Sequence, residues 1–310
     1  MVNVIYKCLQ YTPIMKLFPH KDKLEAALIN PKAANDQGIL REALAAYEYW
    51  IQSMANLQTT GDDYLKDLVR LLNDYKDHLE VELIARKGSD FLKRQKGQLK
   101  LDNSVIEEFL PYLVDSRILN NLPTEYELET GSQTSFMSLS FCPTSIKTLH
   151  KPQIEIKDKD QDFAIGKSIF YKFSTDKDFG VDSTISGRMF LAVLAAECKV
   201  NYDKTMFQEC CGTAARLKQG CPISKYYALV EYLDMTPEDT RLTSIDNVYL
   251  LRKAKRLPYE KRNLYNEVRA QHKDCPISYD VMRHFVGSIQ SFIDATWYDP
   301  SAALDRGSFV

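Results

Sequence analysis

Two short acidic patterns border apolar segments of this 310-residue chain. One is Asp-Gln-Asp-Phe at 160–163, and the other is Glu-Cys-Lys at 197–199. In an extended strand, residues two apart point to the same face, so Glu197 and Lys199 would lie side by side. Carboxylates bind hard divalent cations, and a lysine beside them can stabilise charge on a phosphate. The two patterns therefore predict a site for metal-dependent cleavage of a phosphodiester bond.

An acid-x-lysine pair also arises by chance, and this chain has two further examples, Asp74-Tyr-Lys and Glu155-Ile-Lys. The first lies in a helical repeat, where positions two apart point to different faces. The second lies in a run of alternating charge, which is typical of a solvated edge. Glu197 and Lys199 instead close an apolar run, and burying unpaired charges costs several kcal/mol, so they must reach solvent or line a polar cavity. A strand that merely ends in charged residues is the alternative.

Asp162 turns the Glu197 and Lys199 pair into a candidate metal site. It heads an apolar strand, and if the two strands are neighbours joined by a polar hairpin, both carboxylates meet at one strand end. They would then bind Mg²⁺ through oxygen, while Lys199 orients a water or stabilises transition-state charge. Asp160 shares a face with Asp162 in an extended segment, so it stays an alternative ligand. The start of the apolar strand favours Asp162.

The first third of the chain is predicted to be helical. Apolar residues recur at helical spacing over about 38–55 and 62–87, which indicates two amphipathic helices. A third helix is predicted to begin near Asn103 or Ser104, because Ser-Val-Ile-Glu from Ser104 has the form of a capping box. The segment 120–150 is rich in Asn, Pro, Thr, Ser and Gly, and it is predicted to be a connector or an irregular insertion.

From residue 160 the pattern changes to that of a sheet. Residues that favour strands predict one over 163–173, and the continuous apolar run 189–196 predicts a central strand covered on both faces. A helix is predicted over 203–218, followed by strands at 226–233 and 247–251 and a mainly helical C-terminal segment. This order predicts an α/β fold with a mixed central sheet flanked by helices and an N-terminal helical region. The boundaries fall at 1–100 for the helical region, 101–260 for the core and 261–310 for the C-terminal helices.

Composition excludes several other classes of protein. A formal net charge of −2 gives no global footprint for nucleic acid, so any basic surface must be local. No apolar run approaches the roughly 20 residues that span a bilayer, and the N-terminus does not resemble a secretory signal, so we expect no membrane partner and a cytoplasmic location. Seven scattered cysteines without a Cys-x-x-Cys spacing predict reduced thiols and no structural zinc.

The residues quoted above resemble a known superfamily. Lys159-Asp-Gln-Asp-Phe-Ala-Ile and Ala195-Ala-Glu-Cys-Lys resemble the PD-(D/E)xK nucleases, with Gln161 in the position of the motif's proline. Four blocks, dispersed between about residues 20 and 260, resemble more specifically the type II restriction endonuclease family named after Bpu10I. The blocks are Arg94-Gln-Lys-Gly-Gln-Leu-Lys-Leu-Asp102, Ala196-Glu-Cys-Lys through Asp203-Lys-Thr-Met-Phe-Gln-Glu209, Glu231-Tyr-Leu-Asp-Met-Thr-Pro237 and Leu251-Arg-Lys-Ala-Lys-Arg-Leu257.

The resemblance implies a restriction-endonuclease-like fold and Mg²⁺-dependent cleavage of double-stranded DNA at a short sequence, in a prokaryotic restriction-modification system. The family's namesake works as two non-identical subunits on the asymmetric site CCTNAGC. It implies a second subunit as partner, in a heterodimer or a homodimer. A non-catalytic DNA-binding subunit on the same fold and a repair nuclease of the same fold are the alternatives.

The resemblance also assigns roles to individual residues. Asp162 and Glu197 are implied as metal ligands, with Lys199 as the third catalytic residue. In related nucleases a residue on the helix after the lysine strand can assist, and Gln208 is the nearest candidate in this sequence. Glu107 or Glu108 could similarly lend a carboxylate from the preceding helix.

Two basic segments are candidates for contact with DNA phosphates. The denser one follows an apolar strand and is opposed only by Glu260; it comprises Arg252, Lys253, Lys255, Arg256, Lys261 and Arg262. The other covers 86–100 and is interrupted by two glycines. A solvated charged face is the alternative for both segments.

Overall fold

Helices make up the front of the molecule. The structure, a computed structural model, describes residues 18–94, 100–123, 128–295, 297 and 299–308. Its first four helices are α1 (Pro19–Leu28), α2 (Gln37–Ala55), α3 (Gly61–Lys76) and α4 (Asp90–Lys93). α3 continues without a break into a wider π-helical segment, Asp77–Lys87. The helices predicted over 38–55 and 62–87 are therefore confirmed, the second with a change of helix type at Asp77.

The third predicted helix is much shorter than its apolar run indicates. α5 (Val105–Phe109) lies between two single 3₁₀ turns, Leu101–Ser104 and Leu110–Leu113. The predicted capping box is wrong, because the Ser104 side chain does not cap the helix; its hydroxyl instead lies 3.3 Å from Nδ1 of the buried His20. A proline at the start of the second turn ends regular helical hydrogen bonding.

A five-stranded mixed sheet forms the centre of the molecule. Its strands lie side by side in chain order, and the first three are antiparallel while the last three are parallel. The strands are β1 (Glu129–Cys142), β2 (Gln153–Ser174), β3 (Thr184–Tyr202), β4 (Lys225–Leu233) and β5 (Asn247–Lys255). The predicted fold, a mixed sheet flanked by helices behind an N-terminal helical region, is confirmed.

β1 corrects the prediction that 120–150 is a connector or an irregular insertion. It is a 14-residue strand that pairs with β2 from end to end, with register shifts between Gly131 and Gln133 and between Phe136 and Ser138. Most of its buried positions carry small or polar side chains, among them Thr130, Gln133 and Ser135, and Met137 is the one large apolar side chain buried there, so no apolar run reveals the strand.

Four helices follow β3. They are α6 (Lys204–Gly220), α7 (Tyr265–Asp274), α8 (Tyr279–Asp294) and α9 (Pro300–Arg306). α6 begins where predicted, because the Asp203 side chain accepts a hydrogen bond from the Met206 amide at 3.0 Å and so caps the helix. The mainly helical C-terminal segment is confirmed as well.

Apolar side chains cover both faces of the sheet. One cluster joins α1, α2, α3 and α8 to the first face, and a second cluster fills the space between the other face and α6. β3 contributes to both, with Leu194 and Ala196 in the first cluster and Ala192 and Ala195 in the second. The predicted central position of this strand is therefore confirmed. The first cluster includes residues of all three predicted segments, 1–100, 101–260 and 261–310.

Within the described residues, no helix is long and apolar enough to cross a membrane. The described cysteines are all unpaired thiols, and Cys8 lies outside the described residues.

Candidate active site

The candidate site lies where β2 and β3 diverge. The two strands pair from the hairpin as far as Phe163 and Ala196; beyond that point β2 continues along β1, and β3 continues along β4. Asp162 is the first residue of β2 beyond the paired stretch. Because β3 no longer pairs with β2 at Cys198, the amide of this residue does not donate to a β2 carbonyl. It donates instead to Oδ2 of Asp162, at 2.7 Å. The side chain thus replaces a backbone acceptor at the fork, which fixes its position.

The structure brings three of the four predicted catalytic residues together, Asp162, Glu197 and Lys199. Nζ of Lys199 lies 2.6 Å from Oε1 of Glu197 and 3.8 Å from Oδ2 of Asp162. Both carboxylates therefore contact one ammonium. The separation between Oε1 of Glu197 and Oδ2 of Asp162 cannot exceed the sum of their distances to Nζ of Lys199. All three side chains are partly exposed, by 27% for Lys199 and Asp162 and by 15% for Glu197, so the group can be reached from solvent.

The group carries more negative than positive charge. Burial raises the pKa of Asp162, and the charge of Glu197 raises it further. Burial opposes the charge of Lys199, but Asp162 and Glu197 outweigh it and raise the pKa of that ammonium. Lys199 is therefore cationic at neutral pH, and it compensates one of two carboxylates. A cation bound by the carboxylate oxygens would relieve the remaining repulsion.

Asp160, the alternative ligand, lies apart from this group. It is exposed on the part of β2 that pairs only with β1, and its Oδ1 accepts a hydrogen bond from the Thr134 hydroxyl at 2.6 Å. Although Asp160 and Asp162 are two residues apart on one strand, only Asp162 lies at the fork. The structure thus brings Asp162, and not Asp160, to Glu197.

The two glutamates of α5 have different surroundings. Glu108 is buried and accepts hydrogen bonds from the backbone amides of His20 at 2.8 Å and Lys21 at 3.2 Å, and from the Tyr47 hydroxyl. It therefore attaches α1 to α5. Glu107 faces the candidate site: burial raises its pKa to about 8, and the charge of Asp162 is the next cause.

Glu107 nevertheless lies beside the pair and does not complete a ligand set. Among the described residues, no three His, Cys, Asp or Glu side chains are grouped so that they could hold a metal ion. The donor set that the structure offers is therefore two carboxylates. Two carboxylates suit Mg²⁺, because this ion usually keeps several waters and takes one or two protein carboxylates together with substrate phosphate.

Gln208 is not part of this group. It is exposed on α6, whose buried face carries Phe207, Cys210 and Ala214. Within the described residues it forms no hydrogen bond with Asp162, Glu197 or Lys199. The helix itself is predicted correctly from its apolar pattern, but its rotation about its axis is not, and this rotation turns Gln208 away from the sheet.

Two residues at the site were not identified from the sequence. Tyr226 of β4 is fully buried, and its hydroxyl donates to Oε2 of Glu197 at 3.2 Å. Burial raises the pKa of both Glu107 and Asp162, and the charge of Lys23, on α1, partly offsets this rise. Buried tyrosine hydroxyls usually find a hydrogen-bond partner, and that tendency was the one available signal for Tyr226. Nothing local marks Lys23, because its position depends on how α1 packs.

Arg252 corrects the predicted DNA-contacting segment. It is 1% exposed, and its Nε donates to Oε2 of Glu231 at 2.9 Å. Between the pairs Val230↔Leu250 and Tyr232↔Ala254, one residue of β4 faces three residues of β5. This bulge, with φ of 51° at Lys253, turns Arg252 into the core next to Glu231. Arg252 is therefore unavailable to DNA.

The other residues of that segment remain at the surface. Lys253 and Lys255 are exposed. Arg256 is partly buried and lies 2.9 Å from Oδ2 of Asp234. In the other basic segment, residues 95–99 lie outside the described residues.

The sheet and its flanking helices are similar in fold to a solved restriction enzyme. The native BbvCI A2B2 tetramer, solved at low resolution, is similar, with a TM-score of 0.61 and 20% sequence identity over 91% of this chain and 99% of that chain. A sequence model of the Bpu10I restriction endonuclease family matches residues 98–309, more than half of the chain. The chain belongs to the Bpu10I restriction endonuclease family. No curated protein matches it.

Membership confirms the resemblance stated from the sequence blocks. The chain is a DNA-binding nuclease of a restriction-modification system, and it is a type II restriction enzyme subunit.

Proposed function

We propose that this chain is a type II restriction endonuclease subunit that hydrolyses phosphodiester bonds of double-stranded DNA at a short specific sequence, with Mg²⁺ held by Asp162 and Glu197. The observation that supports this proposal is the sharing of the Lys199 ammonium by both carboxylates at the fork. When bound, Mg²⁺ supplies a water of lowered pKa and neutralises charge on the scissile phosphate.

The residues of the chain have distinct roles in this proposal. Asp162 is anchored by the Cys198 amide, and its carboxylate would be one ligand of the cation. Glu197 presents its carboxylate from the neighbouring strand. Lys199 is already charged, so its ammonium can orient the attacking water and stabilise the charge that develops on the phosphate without first taking up a proton. Gln208 is left outside the proposed site.

DNA contact is assigned to the surface beside β5. Lys253 and Lys255 are exposed there, and Arg256 follows them. Contacts of this kind neutralise phosphates and position the duplex without reading its sequence.

The proposed partner is a second, non-identical subunit. The similar BbvCI structure is an A2B2 tetramer, which contains two kinds of chain. A heteromer fits an asymmetric recognition sequence similar to CCTNAGC, because each subunit then cuts one strand. A symmetric homodimer would instead favour a palindromic site.

Plasmid cleavage tests the function and the site together. The chain, alone and with its co-expressed partner subunit, is incubated with Mg²⁺ and a plasmid of known sequence. We expect nicked or linear products at discrete positions. Glu197→Gln and Asp162→Asn should abolish cutting of one strand while DNA binding persists, because each removes a charged ligand and little else.

Two matched control variants each remove a carboxylate from β2, the strand that carries Asp162. Asp160→Asn and Glu155→Gln should cut like the wild type, since both positions are exposed and outside the fork. Unchanged cutting by Glu197→Gln would contradict the site and favour a binding-only subunit. A smear of products in place of discrete bands would contradict sequence specificity.

A further inference from the structure

Tyr226 holds one oxygen of Glu197 while Lys199 holds the other. The Tyr226 hydroxyl donates to Oε2 at 3.2 Å, and the Lys199 ammonium lies 2.6 Å from Oε1. A carboxylate joined to one donor can still rotate about its last bond, whereas donors on separate oxygens fix its plane. Each oxygen keeps a further lone pair for a cation.

The backbone of Tyr226 is itself fixed. Its amide donates to Oδ2 of Asp246 at 2.8 Å, and its carbonyl accepts from the Asp246 amide at 2.8 Å. Asp246 is in turn paired with Lys218 at 2.7 Å and Lys225 at 3.0 Å. The ring is fully buried in the cluster between the sheet and α6. The hydroxyl therefore reaches Glu197 from a support that cannot easily shift.

The fold does not require a partner for every buried tyrosine hydroxyl. Tyr232 lies on the same strand and is 6% exposed, yet its hydroxyl has no hydrogen-bond partner within the described residues. The contact between Tyr226 and Glu197 is thus not explained by burial alone. It also matches the anchoring of Asp162 by the Cys198 amide, so each proposed ligand has its own fixed donor.

We propose that Tyr226 is a positioning residue that orients the Glu197 carboxylate toward a divalent cation. This inference rests on the proposed function, because it assigns a role within the same metal site. Groups that hydrogen-bond to a metal ligand set its orientation, and their loss typically weakens metal binding by about 10- to 100-fold.

The test compares Tyr226→Phe with Tyr232→Phe, since each removes one buried hydroxyl from β4. Binding of Mn²⁺ to the chain without DNA is followed by electron paramagnetic resonance of the free ion, and thermal unfolding is recorded for each variant. We expect Tyr226→Phe to weaken Mn²⁺ binding about 10-fold or more. Its Mg²⁺ concentration for half-maximal cleavage should rise with little change in the maximal rate. Tyr232→Phe should match the wild type in both measurements.

The outcomes separate this inference from the proposed function. If the wild type binds Mn²⁺ and Glu197→Gln does not, while Tyr226→Phe binds as the wild type does, the metal site stands and the role of Tyr226 is overturned. Equal losses in both tyrosine variants would also overturn it, because they indicate general loosening of β4. Equal Mn²⁺ binding by the wild type and Glu197→Gln, or none by the wild type, would reject the metal site and the role of Tyr226 with it.

Discussion

At the scale of residues, buried charges form a second group that differs from the candidate active site in having a cation for each carboxylate. Nζ of Lys76 lies 2.5 Å from Glu80 and 2.7 Å from Glu231, and Arg252 lies 2.9 Å from Glu231. His272 adds a contact of 3.3 Å with Glu80. These side chains come from α3 and its π-helical extension, from β4 and β5, and from α7. The group therefore joins the helical front to the sheet.

Arg252→Ala should destabilise the protein without acting on DNA directly. Removing one partner of a buried ion pair costs about 3–5 kcal/mol, so we expect the free energy of unfolding to fall by about this amount in urea denaturation. Lys255→Ala, at an exposed position of the same strand, should change stability by less than about 0.5 kcal/mol. It should instead weaken DNA binding and reduce the salt slope of the affinity by about 1. If Arg252→Ala keeps the stability of the wild type but binds DNA more weakly, Arg252 contacts DNA and its assignment to the core is wrong.

The sequence predicts residues well where local geometry decides. Asp162, Glu197 and Lys199 follow from strand periodicity, and the structure places them in one group. Arg252 was wrongly grouped with surface residues because strand alternation cannot anticipate a bulge, which depends on the neighbouring strand. The choice between Glu107 and Glu108 could not be made either, since it depends on which side of α5 meets α1.

At the scale of elements, the alignment of β2 with β3 decides whether the site forms. Ile165 pairs with Leu194 but Gly166 pairs with Ala192, so β3 has one extra residue at this point. A β-carbon on Gly166 would lie 2.1 Å from the Leu191 carbonyl oxygen, far inside normal contact. A strand shifted by one residue presents its side chains to the opposite face. This close approach therefore helps to fix which residue of β2 faces Glu197.

Gly166→Ala should lower both stability and cleavage. The added methyl group forces β2 away from β3, and overpacking of this kind costs about 1–3 kcal/mol in chemical denaturation. Gly212→Ala is the control, because a β-carbon there meets no atom within 4 Å on α6. It should stabilise the protein by about 0.5–1 kcal/mol, as alanine is the better helix former. A Gly166→Ala protein with wild-type stability would show that the strands tolerate a wider spacing.

Elements with a clear apolar period were predicted close to their bounds, and elements without one were missed. α2, α3, α6 and the strands β4 and β5 belong to the first kind, whereas β3 spans Thr184–Tyr202 and extends well beyond the apolar run 189–196 that predicted it. β1 belongs to the second, because pairing with β2 and not an apolar face defines it. The capping box at Ser104 failed for a tertiary reason, since the serine hydroxyl meets His20.

At the scale of the whole molecule, His20 links α1 to other elements of the N-terminal helical region. The ring is fully buried, and Nε2 lies 2.5 Å from the Tyr75 hydroxyl of α3 while Nδ1 lies 3.3 Å from Ser104. Burial, and next the charge of Lys76, lower the pKa of His20 from 6.5 to about 3. The folded protein thus keeps this imidazole neutral at pH values where the unfolded chain protonates it.

This difference predicts a loss of stability in mild acid. Since the folded pKa lies below the unfolded value, the unfolded state binds the proton first, and stability falls as pH drops below 6.5 until about 3. Between pH 7.5 and 5 the loss from His20 is about 2 kcal/mol. His20→Asn should lack this part of the pH dependence in urea unfolding, whereas His284→Asn, at an exposed position of α8, should keep it. Identical pH dependence in the wild type and His20→Asn would contradict the assignment.

The arrangement of the whole chain was the least accessible to sequence reasoning. Pattern changes near 100 and 260 suggested three segments, but one apolar cluster runs through the helical front, the sheet and α8. Contacts between segments far apart in sequence, such as Asn73 with Ile277 at 2.8 Å, leave no periodic signal in either segment.

Under the proposed function, the hydrogen bond from the Cys198 amide to Asp162 determines when the subunit could begin to cleave DNA. Because this carboxylate is positioned by strand alignment, a chain in which β2 and β3 have not yet paired would lack the proposed cation site. The hydroxyl that holds Glu197 arrives later still, with residue 226 emerging from the ribosome after both of those strands. If Asp162 and Glu197 hold the cation as proposed, a nascent or partly unfolded subunit would not cut DNA before the sheet is complete.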